Sequence, residues 1–182
     1  MASHKEGKSG RVIGVDMTPD MLEKARANAK RGGYSNVEFR LGEIENLPVA
    51  DDHVDAIISN CAINLSPDKE RVFREAYRVL KTGGRLMVSD VVLEKDIPPC
   101  LKESIGAHTA CVAGAEREGD YIKIITSAGF KDARIADKSS FNIASLLDDP
   151  DIQRTMKERF VDAEKVAEFA SGVTNIKVSA VK

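Results

Sequence analysis

The chain alternates short apolar runs with amphipathic stretches, and each change of period marks an element. Val12 to Val15 is an apolar run that ends on Asp16 and predicts a short buried strand. Thr18, Pro19 and Asp20 follow as N-cap, first helical residue and first-turn acid. Met21 to Arg31 then predicts a helix with Met21, Leu22, Ala25 and Ala29 on one stripe, ended by Gly32 and Gly33. A second strand spans Val37 to Leu41, followed by the polar turn Gly42, Glu43, Ile44, Glu45. Val54 to Ile58 is nearly continuous in apolar residues, as expected of a strand covered on both faces, and leads into Ser59, Asn60 and Cys61.

Ser66, Pro67 and Asp68 repeat the N-cap, proline and acid signals of Thr18. They open a predicted helix to Leu80 that buries Val72, Phe73, Ala76, Val79 and Leu80, with Gly83 and Gly84 as its stop. Arg85 to Val92 is another strand. Pro98 and Pro99 precede a helical stretch of roughly Leu101 to Val112. Gly119 and Asp120 open a short helix with Tyr121, Ile124 and Ile125 inward, capped by Gly129, and Ala133 to Ile135 reads as a strand. From Ser139 the pattern loosens. A helix runs from Asp149 and Pro150 towards Phe169, and Asn175 to Val181 alternates in a way that suits an antiparallel final strand.

The βαβαβ order predicts an α/β fold built on one open, mostly parallel sheet with helices on both faces. The division expected is a polar segment over 1–10, a core over 11–138, and a carboxyl-terminal helix and strand of the same domain over 139–182. A length of 182 residues suits one ordinary domain. Net charge is −2, which makes no electrostatic case for nucleic acid or a membrane surface. No apolar run is long enough to span a bilayer, and the polar start has no signal-peptide core. The three cysteines, Cys61, Cys100 and Cys111, lack zinc-like spacing and fit a reduced, cytoplasmic protein.

In open α/β sheets ligands bind beyond the carboxyl ends of the strands. Asp16 and Met17, then Gly42, Glu43 and Ile44, then Ser59, Asn60 and Cys61 are successive strand ends and are expected to converge. An acid at a first strand end suits ribose hydroxyls, although a turn or capping Asp remains open at this point.

Four segments make the pattern specific: GRVIGVDMTPDMLEKAR, NVEFRLGEIENLP, VDAIISNCAINLSPDKERVFREAYRVLKTGGRLMVSD and CVAGA. Over about residues 9 to 136, and more weakly in the last strand, the chain resembles the arsenite methyltransferases, a group of the class I S-adenosylmethionine-dependent methyltransferases. That resemblance implies a Rossmann-like sheet and S-adenosylmethionine as cofactor. It implies that Asp16 holds the ribose and Met17 packs on the adenine. Gly42, Glu43 and Ile44 would surround the adenine edge, and Asn60 would lie near the methionine part. Cys61 and Cys111 would hold trivalent arsenic, a soft ion suited to thiolates. Arsenic keeps a lone pair and loses no proton on methylation, so positioning rather than a general base is the protein's task.

Cys100 has no part in that pattern. A helix through Cys100 and Cys111 would hold them about 16 Å apart, so Cys100 reads as structural or incidental. His108 reads as a surface or capping residue.

Family members also begin with a first strand and a glycine-rich turn, whereas residues 1–10 are polar and supply no apolar strand. The resemblance therefore implies a sheet without its first strand, impaired cofactor binding, and self-association through the unpaired strands. The substrate expected is arsenite or its thiol conjugates. Two alternatives stay open: a non-catalytic thiol-based As(III) binder, and a methyltransferase for another small molecule.

Overall fold

The first apolar run pairs with the second. In the computed structural model, which describes residues 10–95, 111–112, 114–140, 153–154 and 171–182, β1 (Val12–Asp16) and β2 (Val37–Leu41) form a parallel pair. Val12 faces Val37 and Asp16 faces Leu41. Helix α1 (Pro19–Arg31) connects them, as a parallel pair requires a crossover. Pro19 opens the helix as expected, but Thr18 makes no side-chain cap bond. The Asp16 carboxylate accepts the Thr18 N–H at 2.8 Å instead. Only Leu22 of α1 is buried, and Met21 is exposed. Residues 22, 25 and 29 share one side, and position 21 lies about 100° off it.

The chain divides into two compact units, Met1–Ala50 and Asp51–Lys182. The second holds a four-stranded sheet in the order β3-β4-β6-β5: β3 (Val54–Asn60), β4 (Leu80–Leu93), β5 (Lys131–Ser140) and β6 (Val173–Val181). β3 and β4 are parallel, while β6 runs antiparallel to both β4 and β5. The antiparallel final strand is as predicted. Among the described residues, two neighbouring pairs are parallel and two antiparallel.

α2 (Lys69–Val79) shows why its segment folds. Lys69, Val72, Phe73, Ala76 and Val79 recur every three to four residues and are all buried. Its N-cap is Asp68, whose carboxylate accepts the Arg71 N–H at 2.9 Å. Ser66 was the expected cap; its hydroxyl accepts the Asp68 N–H instead, so Pro67 lies outside the helix. Gly83 and Gly84 do not stop this helix. They lie within β4, where Gly83 takes a positive φ of 78°. α3 (Glu118–Ser127) buries Tyr121 and Ile125. The Tyr121 ring meets Phe73 edge-on at 5.6 Å and joins α3 to α2.

β3 departs from expectation. Its apolar run suggested cover on both faces, yet Ile58 is 72% exposed. Among the described residues β3 is an outer strand of its sheet and pairs with β4 alone. The expected helices over 101–112 and 149–169 lie almost entirely outside the described residues. Where the first would end, Cys111 has φ +60°, which is not helical. Cys100 and His108 also lie outside the described residues.

Candidate active site

The adenosine-binding candidates belong to the first unit. Asp16 closes β1, and its backbone carbonyl accepts the Gly42 N–H at 3.1 Å. The two strand ends, β1 at Asp16 and β2 at Leu41, are thereby tied side by side. Gly42 has no room for a side chain, since a Cβ there would press on Pro48. Met17 is 69% exposed, Glu43 is exposed and Ile44 half-buried. A carboxylate at a strand's carboxyl end, with an apolar side chain open beside it, fits the ribose and adenine of S-adenosylmethionine.

The thiol candidates belong to the second unit. β3 ends at Asn60, which is exposed. Cys61 then turns the chain with φ +52°, a left-handed conformation unusual for a side-chain-bearing residue. Its N–H still donates to the Ser89 carbonyl of β4 at 2.8 Å. Cys111 also adopts a left-handed backbone. Its thiol donates to the Cys61 carbonyl at 3.2 Å, across 50 positions of sequence. Both cysteines are free thiols, Cys61 half-buried and Cys111 buried. The fold thus brings the Cys111 thiol to the backbone of the Cys61 turn, two residues that sequence alone could only name.

A buried carboxyl lies behind them. Asp90 is 1% exposed on β4, and its Oδ2 accepts the Tyr121 hydroxyl at 2.6 Å. Its Oδ1 has no partner among the described residues. Burial pushes the Asp90 pKa up to about 6, against the opposing pull of the Tyr121 hydroxyl and the Lys69 ammonium. Burial also raises the Cys61 thiol, and the Asp90 carboxylate raises it further. For Cys111 burial acts first, then the Cys61 thiol, then Asp90. Tyr121 is raised by burial and by Asp90. These shifts hold both thiols and the Tyr121 hydroxyl in their protonated forms near neutral pH, where Asp90 itself is mostly ionised.

In the sequence Tyr121 reads as plain core and Asp90 belongs to no motif. The signal was an acid inside the apolar run of β4, Val88-Ser-Asp-Val-Val92. A carboxylate in such a strand needs a partner, and a core tyrosine carries one.

Among the described residues no group of three or more His, Cys, Asp or Glu side chains is placed to hold a metal ion. None of their helices is long and apolar enough to cross a membrane. An open depression of about 450 Å³ lies elsewhere, lined by Arg117, Asp120 and Lys138 among others. It contains no thiol, and Lys138 is already bridged to Glu94 and Glu118.

Comparison with known proteins identifies the family of the chain. Residues 1–138 match the family described as Methyltransferase domain. An arsenite methyltransferase of Halobacterium salinarum is 45% identical over 163 residues, covering 90% of this chain and 41% of that protein. The crystal structure of an arsenic (III) S-adenosylmethionine methyltransferase from Chlamydomonas reinhardtii superposes with a TM-score of 0.75 at 35% identity, covering 97% of this chain and 56% of that one. The YcgJ protein of Bacillus subtilis matches the fold with the same TM-score, 0.75, at 20% identity, covering 94% of this chain and 82% of that one. The chain spans about two fifths of the length of the curated arsenite methyltransferases it matches. A methyltransferase-domain match over most of the chain and solved neighbours of the same α/β architecture make it a member of the class I S-adenosylmethionine-dependent methyltransferases.

Proposed function

We propose that this chain takes part in the methylation of trivalent arsenic, with Cys61 and Cys111 as the thiols that hold the substrate. The observation that carries this reading is the Cys111 thiol lying 3.2 Å from the Cys61 carbonyl. Capture is a condensation: arsenous acid exchanges two hydroxyls for two sulfurs, and each thiol proton leaves in a water molecule. Proton count is unchanged, so thiols raised above their ordinary pKa still load arsenic at neutral pH. The third position on arsenic remains for hydroxide or for a small thiol, which makes arsenite or its thiol conjugates the substrate class.

S-adenosylmethionine, when bound, supplies the methyl group. Asp16 would hold its ribose, Met17 would cover the adenine, and Gly42, Glu43 and Ile44 would border the adenine edge. Asn60, at the end of β3, would lie towards the methionine part. Cys61 and Cys111 fix the arsenic and leave its lone pair free to accept a methyl group. A cytoplasmic setting would keep both thiols reduced. The substrate is a small molecule, with neither nucleic acid nor a membrane as partner.

The test is isothermal titration of the chain with S-adenosylmethionine, with and without arsenite. Saturable binding of both is expected, with arsenite binding abolished in Cys61→Ser and in Cys111→Ser. Arsenite binding that survives either substitution would overturn the thiol assignment. A second reading is a thiol-based binder of As(III) that transfers no methyl. It is favoured by the placement of both cysteines in Asp51–Lys182, since capture then needs nothing from the first unit. Arsenite binding without cofactor binding would select it.

A further inference from the structure

The edge of β4 that carries β3 is longer than β3 itself. The ladder runs to the pair Asn60 and Ser89, and Cys61 extends it by one bond, to the Ser89 carbonyl. Chain alternation then points the groups of Val91 and Leu93 to this same side. β3 has turned away by then, so these groups need other partners.

Asn64 supplies the first. It sits in a 3₁₀ turn, Ile63–Leu65, 2% exposed, and its Nδ2 donates to the Val91 carbonyl at 2.7 Å. The segment after Cys111 supplies the next: the Glu116 carbonyl accepts the Leu93 N–H at 2.9 Å. One β4 edge therefore holds, in order, the Cys61 turn, the Asn64 side chain and the Cys111 segment. Gly114 closes the stack. A Cβ at that position would overlap the Asn64 carbonyl oxygen, so only glycine lets the two segments lie this close.

We infer that Asn64 and Gly114 form a spacer that sets the separation of the two thiols, making both positioning residues for arsenic capture. This rests on the proposed roles of Cys61 and Cys111. Asn64 fixes the height of the Cys61 loop on β4, and Gly114 fixes how closely the Cys111 turn approaches it. Neither residue touches the arsenic.

The experiment uses the full chain carrying Cys100→Ser, so that only Cys61 and Cys111 react. Dibromobimane, which becomes strongly fluorescent when it bridges two neighbouring thiols, reads their separation without arsenic. Titration with arsenite is run in parallel. Asn64→Ala and Gly114→Ala should bridge at least about tenfold more slowly and bind arsenite at least about tenfold more weakly, as when a second attachment loses its effective concentration. Single alkylation by N-ethylmaleimide should be unchanged. Ile125→Val, which loosens the core away from this edge, should lower the melting temperature and leave bridging intact. If Gly114→Ala does not fold, Asn64→Ala decides the matter. Bridging in Asn64→Ala at the parent rate overturns the spacer. Slower bridging in the variants of a parent that binds no arsenite would uphold the spacer and overturn the proposed substrate instead.

Discussion

Cys61 and Cys111 share a backbone conformation as well as a chemistry. Both lie at positive φ, 52° and 60°, where an L-residue pays about 1–2 kcal/mol that glycine does not. A fold that needed only a turn at either point would be more stable with glycine. The prediction at position 111 separates the two demands. Cys111→Gly and Cys111→Ala should both lose arsenite binding, and chemical denaturation should find Cys111→Gly about 1 kcal/mol the more stable. Equal stability would mean that the left-handed turn is not strained. Asp90 poses a different residue-scale question, because its pKa is raised to about 6 by burial. A carboxyl that binds its proton more tightly folded than unfolded stabilises the fold fully below pH ~4. That contribution is lost as pH rises through about 6 and is constant above it. The shift amounts to about 3 kcal/mol at most. Denaturation of parent and Asp90→Asn should therefore show the parent's relative stability falling between pH ~4 and about 6. Removing that charge should also lower the pH midpoint for alkylation of both thiols. A parent-minus-variant difference that is flat in pH would remove Asp90 from this role.

At the scale of elements, the helices show how much of the structure could be read in advance. The two helix starts carry nearly the same three letters, Thr-Pro-Asp and Ser-Pro-Asp, and the fold uses them differently. Thr18 precedes a proline at the first helical position without capping through its side chain, whereas Asp68 is itself the cap. The letters mark a helix start within a residue or two, but the cap is chosen by which oxygen reaches an unpaired N–H, a three-dimensional fact. Asp68→Ala should cost about 1 kcal/mol in thermal denaturation, and Thr18→Ala less than about 0.5 kcal/mol. Comparable losses would contradict the assignment. The strands follow the same division. β2 and β6 declared themselves by composition and alternation, and an antiparallel β6 was legible in its period of two. What the pattern of β3 could not reveal was its neighbour. An apolar run signals a demand for cover, not that the demand is met. The thiol pair was legible only as two letters in a familiar pattern, because 50 residues of chain separate the Cys111 thiol from the Cys61 carbonyl it contacts. Asp90, Asn64 and Gly114 escaped notice because their roles lie in what the folded chain leaves unpaired or closely packed.

At the scale of the whole molecule, the unmet demand of β3 has a consequence. Among the described residues of Asp51–Lys182 it is an outer strand, paired with β4 through one side of its backbone. It carries one charge, Asp55, and neither lysine nor proline, the devices that usually blunt such an edge. Ile58 stands 72% exposed opposite Met87, itself 44% exposed, so an apolar face accompanies the open edge. The prediction is that the β3 strand of a second copy occupies this edge. A strand added antiparallel to its own twin would pair both backbones about a two-fold axis and bring the two Ile58 faces together. Sedimentation velocity should therefore find dimers or larger species at micromolar concentration. Ile58→Lys places a charge on that face and should shift the distribution to monomer. Because Ile58 is exposed, the substitution should leave the melting temperature within about 2 °C of the parent's under conditions where both are monomeric. A parent chain that sediments as a single monomeric species across that concentration range would show that the edge is left unpaired. In that case the exposed Ile58 would be a tolerated surface residue rather than an interface.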